Sequence, residues 1–170
     1  MDKSSLEFGS DLVFNTTRLL ILLHSFKHKK MPCLAFDKII LYDYYVRFPK
    51  TMLEEELNNI KLYEDFYEYY SYYHWKPDRY SYQLFLKYLI GRNLIIRKII
   101  NGNFCYEINE NGLELVDKLH SNYSERIKKV ALYVSNQIAK LSDTKVEDKI
   151  FNMIRLRFEE RKKGGDREND

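Results

Sequence analysis

His24 and His28 stand four apart, a spacing that sets two imidazoles on one face of a helix, and Cys33 follows shortly after. Zinc chemistry needs more than this. No acid or further histidine completes the set, and the run Lys27-His28-Lys29-Lys30 is better read as cations gathered at a helix C-terminus. His74 lies among aromatics and His120 within a helical stretch, neither beside a nucleophile. No Gly-rich phosphate loop, nucleophile elbow or spaced Cys/His pattern occurs. The acid runs Glu54-Glu55-Glu56 and Glu159-Glu160 read as solvated helix faces. Cys33 and Cys105 read as reduced thiols, too few for a disulfide framework. The expectation is a chain with no catalytic residues, no metal, no cofactor and no small-molecule substrate.

The chemistry that the sequence does carry is aromatic. Fifteen tyrosines and ten phenylalanines in 170 residues exceed what one core of this size absorbs, so some must lie outside. They concentrate at Tyr63, Phe66, Tyr67, Tyr69, Tyr70, Tyr72, Tyr73 and Trp75. Phe66, Tyr69, Tyr70 and Tyr73 can share one helical face, whereas Tyr63, Tyr67 and Tyr72 fall on other sides. The net charge of +3 is too weak to imply nucleic acid, but it is unevenly spread. Residues 54–68 hold six acids and one base, net −5, and residues 76–98 hold six bases and one acid, net +5. That polarity suits docking between proteins.

These residues need elements to position them. Apolar spacing predicts a helix over 11–25 capped by Ser10 or Asp11, a second over 35–47, and a third helical stretch over 53–73 that Pro77 ends. A helix over 80–92 closes on Gly91 and Asn93. Residues 94–100 and 104–109 read as a hairpin turning at Asn101-Gly102-Asn103. A single apolar stripe runs from Leu113 to Leu141. Unbroken it would span about 43 Å, with Ser121-Asn122 as the natural kink. Thr144-Lys145-Val146-Glu147 has capping-box spacing and starts a last helix.

The fold class expected is mainly α with a small β-hairpin wing (α+β). It is a winged helix-turn-helix over 8–112 with an aromatic, acidic helical insertion at 48–79. Helices over 113–163 and a disordered tail over 164–170 follow. The longest aliphatic run, at Leu19 to Leu23, is far too short for a bilayer, and the first residues lack a secretory pattern. No membrane contact and a cytoplasmic location are expected.

A winged helix ordinarily places its third helix in the DNA major groove. Here that helix reads Tyr80-Ser81-Tyr82-Gln83-Leu84-Phe85-Leu86-Lys87-Tyr88-Leu89-Ile90-Gly91-Arg92. Ser81, Gln83 and Lys87 could reach bases, yet Tyr80, Tyr82 and Tyr88 leave little polar reading face. The expected partner-binding residues are Tyr63, Tyr67, Tyr72, Trp75, Tyr80, Tyr82 and Tyr88. Weak, indirect double-stranded DNA contact would fall to Arg79, Lys87, Arg92, Arg97 and Lys98. Two alternatives stay open: a DNA-binding transcriptional regulator acting as a homodimer, and a dimeric scaffold built on the helix over 113–141.

Several segments resemble the middle components of bacterial ABC-three-component defence systems, the Lamassu type nearest among them. They are Thr17-Arg18-Leu19-Leu20, Phe36-Asp37-Lys38-Ile39-Ile40-Leu41-Tyr42-Asp43-Tyr44, His74-Trp75-Lys76-Pro77-Asp78-Arg79, and Phe85-Leu86-Lys87-Tyr88-Leu89-Ile90-Gly91-Arg92-Asn93-Leu94-Ile95. The resemblance runs from Val13 to about Ile138. It implies a non-catalytic accessory subunit, comparable to the winged-helix partners of SMC complexes. Such a subunit joins an SMC- or Rad50-like ATPase to a nuclease effector in defence against phage or plasmid DNA.

Overall fold

The computed structural model describes residues 3–62, 66–71 and 78–165, with side chains for all of these except 3–10, 66–67 and 161–165. Helix α1 (Lys3–His24) runs through the centre. Its run Leu19 to Leu23 is at most 2% exposed, and a helix that is apolar all round must be enclosed. It packs against α2 (Phe36–Arg47), α5 (Arg79–Gly91), α6 (Glu110–Asp117) and α7 (Asn122–Asn136). The helix begins well before the expected cap: Ser10 and Asp11 lie inside it.

Three antiparallel strands form one sheet in the order β1 (Leu34–Ala35), β3 (Asn103–Ile108), β2 (Ile95–Ile100). The hairpin pairs Ile95 with Ile108 and Ile100 with Asn103, and β1 adds Leu34 opposite Tyr106. Its turn uses Asn101 at φ 50° and Gly102 at φ 77°, the left-handed geometry that these residue types tolerate. Asn93 at φ 54° ends α5 in the same way. Its carbonyl then accepts from the side chains of Asn109 and Asn111, fastening the helix end to the base of the hairpin.

The expected helix over 53–73 does not form. Instead α3 (Pro49–Leu53) stops, residues 54–59 turn, and α4 (Phe66–Tyr69) is short. One carboxylate explains the fold-back. Glu68, buried, accepts from Lys50 N (2.7 Å), Thr51 N (3.1 Å) and Thr51 Oγ1 (2.6 Å), capping α3 from the far side of the insertion. A continuous helix would hold Glu68 about 25 Å from Thr51, at ~1.5 Å per residue. Glu68→Gln sets an amide against donors that need acceptors. It should cost about 1–2 kcal/mol, read as a lowered denaturant midpoint with an unchanged slope.

The stripe from Leu113 to Leu141 is also divided. Ser121 Oγ accepts from Ser124 N at 3.1 Å and starts α7 afresh, so the chain breaks beside the predicted kink. Ile127, Val130, Ala131 and Val134 are buried in α7, and the helix packs on α1 and α2. Most of the stripe is therefore spent on this chain's own core, although Leu115 stays exposed. The last helix, α8 (Asp143–Gly165), is preceded by Ser142, whose Oγ accepts from Lys145 N at 3.4 Å; Thr144 is inside the helix rather than capping it. Tyr45 fastens α8 to the core through its hydroxyl on Val146 O, 3.1 Å away. Gly164 and Gly165 belong to α8, and the rest of the expected tail, 166–170, lies outside the described residues.

Candidate partner-docking surface

Beneath α5 lies a charged cluster that sequence reading did not single out. Arg18 donates through Nε to Asp43 Oδ1 (2.7 Å) and through Nη2 to Asp43 Oδ2 (2.9 Å), a two-pronged pair. Tyr82 donates to the same Oδ2 at 2.6 Å, and Asn15 Oδ1 accepts from Arg18 Nη2 at 2.8 Å. Asp43 is 0% exposed and Arg18 nearly so. Burial works against the Arg18 charge, but Asp43 more than offsets it and holds the guanidinium above its usual pKa. Burial, then Asp43, pushes the Tyr82 phenol up. A signal was present in the sequence: Asp43 interrupts an apolar helix, and Arg18 abuts the run at Leu19.

Tyr82 therefore turns inward, 7% exposed, and is a core anchor rather than a partner-binding residue. Tyr80 is 67% exposed, and Tyr88 is exposed with Arg92 over its ring at 5.7 Å. Tyr63, Tyr72 and Trp75 lie outside the described residues, as does the side chain of Tyr67. The polar positions of α5 are partly committed. Asp78 caps the helix, accepting from Tyr80 N (3.1 Å) and Ser81 Oγ (2.6 Å); these bonds, Ser81's hydroxyl foremost, lower its pKa. Ser81 is thus drawn away from any base-reading role.

The five expected phosphate contacts separate into two kinds. Arg79 pairs with Asp37 at 2.5 Å and lies over the Phe36 ring at 4.8 Å. Lys98 pairs with Glu107 at 2.6 Å. Lys87, Arg92 and Arg97 form no ion pair among the described residues; Arg97 lies over the Phe104 ring at 4.6 Å. The acidic segment is also partly absorbed, through Glu68 and through Glu54 to Arg157 (3.6 Å) and Glu56 to Lys149 (3.8 Å) on α8. Strong opposite fields on two separate faces are therefore weaker than the sequence implies.

A cavity of about 640 Å³ opens beside the cluster, between α1, α2, α5 and α8. Tyr44, Phe48, Phe85 and Phe151 supply apolar wall, and the Asp37–Arg79 pair stands in its lining. No histidine or cysteine is among its described lining residues, so Ser81 there has no general base of that kind. The histidines considered for metal are separated in role. His24 is part-buried with Nε2 3.3 Å from Asp117 Oδ1, and burial first, then Lys27, lowers its pKa; no group of three ligating side chains occurs among the described residues. Cys33 and Cys105 are free thiols brought together by the β1–β3 pairing, and burial pushes the Cys33 thiol up to about 11. Among the described residues no helix is long and apolar enough to cross a membrane.

The family model of the ABC-three component (ABC-3C) system Middle Component 2 matches residues 13–160. The chain belongs to this family. It is a middle component, an accessory subunit of a three-component system. The match takes in α5, the hairpin and most of α8. No curated protein and no solved structure matches this chain.

Proposed function

We propose that this middle component is a non-catalytic winged-helix adaptor in a bacterial anti-phage and anti-plasmid defence complex of the Lamassu type. It links an SMC- or Rad50-like ATPase to a nuclease effector in the cytoplasm. The observation that carries the reading is the family match over 13–160. The element order supports the winged-helix part: helix, short strand, two helical regions, then a hairpin whose β3 pairs with that first strand.

The character of α5 supports protein over DNA as the ligand. Its outward face offers Tyr80 and Tyr88, while Ser81 and Arg79 are held by neighbouring acids. Tyr63, Tyr67, Tyr72 and Trp75 of the insertion are further partner-binding residues in this reading. Lys87, Arg92 and Arg97 supply auxiliary phosphate contact if DNA passes the assembled complex.

Affinity purification of the tagged chain from its native host, at near-native expression, tests the proposal. Co-elution of a coiled-coil ATPase and a nuclease in fixed proportion is expected. Recovery of the chain alone rejects it. A mobility-shift titration with upstream duplex at two salt concentrations addresses the homodimeric regulator, for which nanomolar, salt-sensitive, sequence-selective binding is required.

A further inference from the structure

Strand β2 is an edge. In the order β1-β3-β2 only one side of it is hydrogen-bonded to a described strand, so alternate residues turn N–H and C=O groups outward. Its sequence, Ile95-Ile96-Arg97-Lys98-Ile99-Ile100, contains no proline or glycine. All but Ile95 are exposed, and the side chains stay apolar where the strand leaves the core: Ile99 is 69% exposed and Phe104, directly opposite it, 50%. Long, exposed, β-branched edges are templates for another strand.

A second copy of this chain fits poorly. Residues directly opposite each other in an antiparallel pair share a face, so self-pairing centred on this strand would set Arg97 against Arg97, or Lys98 against Lys98, of the second copy. Like charges directly opposite are destabilising. The central cations therefore disfavour self-association and favour an acid at the same rung. They are not equivalent. Lys98 is engaged by Glu107 on its own face of the sheet, whereas Arg97, on the opposite face, has no ion-pair partner among the described residues.

We infer that β2 accepts an extended segment of a partner protein as a fourth strand. That segment carries one acidic residue, placed against Arg97, within a run of β-branched residues that cover Ile96, Ile99 and Ile100. Main-chain hydrogen bonds supply the attachment, and Arg97 selects the register and the charge. The inference rests on the adaptor reading for the source of the segment, but its test needs no other component of the system.

The test uses the full-length chain, labelled with nitrogen-15, and blocked eight-residue peptides of alternating valine and threonine. One peptide carries a central glutamate, a second a central lysine, and a third is the glutamate peptide with every second amide N-methylated. The glutamate peptide should shift the amide signals of 95–100, bind roughly tenfold more tightly than the lysine peptide, and lose binding on N-methylation. The exposed substitution Arg97→Glu should invert the preference between glutamate and lysine. Equal binding of the two charges, equal binding of the methylated peptide, or shifts centred away from β2 each overturn the inference. So does concentration-dependent self-association through β2 in the absence of peptide. A chain that purifies without ATPase or nuclease yet binds the glutamate peptide as described would retain this inference while losing the adaptor reading.

Discussion

Asp43→Ala should lower the stability of this chain by about 3–5 kcal/mol, the usual cost of deleting one partner of a buried ion pair. For a chain of this size that corresponds to a fall in Tm of roughly 6–20 °C. The reason is the group left behind. Arg18 is 6% exposed, and two of its donor nitrogens are turned onto Asp43, so the substitution strands a guanidinium away from water. Tyr82 loses its acceptor at the same moment. The cluster joins α1, α2 and α5, so the loss is shared by three elements rather than confined to one. Replacing both members of the pair, with Arg18→Met and Asp43→Leu, should recover a large part of the loss, because no uncompensated charge remains. A thermal melt of the single and double variants decides it. A single variant within about 1 kcal/mol of the parent would show that solvent or another side chain rescues Arg18.

Gly112→Ala should be the most damaging of the glycine substitutions, at about 3 kcal/mol, near the upper end of the cost of forcing an extra methyl into packed structure. A Cβ at Gly112 would sit 2.2 Å from Leu94 O and 2.6 Å from Ile108 Cγ1. The first is backbone and cannot rotate aside. The carbonyl of Leu94 also accepts from Asn109 N at 3.2 Å, so relief by moving α6 breaks a bond at the root of the hairpin. Gly91 is the control. Nothing lies within 4 Å of a Cβ there, and Gly91→Ala should gain about 0.4–1 kcal/mol by restricting the unfolded chain. Urea denaturation of both variants measures the pair. Effects of the same sign would contradict the close approach at Gly112.

Both sites illustrate where pattern reading succeeds and fails. The turn at Asn101-Gly102 is a local event, and local residue types announce it. The end of α5 at Asn93 is of the same kind. The length of the helix after the hairpin is different. Its apolar stripe from Leu113 to Leu141 continues across the breaks because α6, α7 and a short 3-10 turn at Ile138–Lys140 each bury residues in the same core, so periodicity alone sees one element where there are three. The segment 54–71 failed for a related reason. Its helical spacing is real, but the Glu68 contact with α3 reverses the chain.

Among the candidate site residues, Tyr80 and Tyr88 lie exposed on α5, as their place on an aromatic helix suggested, whereas Tyr82 is drawn inward by Asp43, a residue 39 positions earlier. Arg79 and Lys98 are likewise paired with acids that composition alone could not assign to them, Asp37 and Glu107.

What the sequence determined by itself was whatever depends on neighbours along the chain: helix-compatible spacing, the hairpin and its turn, the left-handed helix end, and the aromatic excess. Segment resemblance added the middle-component family, which the match over 13–160 bears out at that level; the Lamassu type belongs to the proposal. Only the tertiary structure decided which charges are cancelled, which tyrosines are core, and which strand edge stays open. Those depend on residues far apart in sequence meeting in space. A buried carboxylate such as Asp43 or Glu68 takes its partners from wherever the fold delivers donors, a choice that no local pattern encodes.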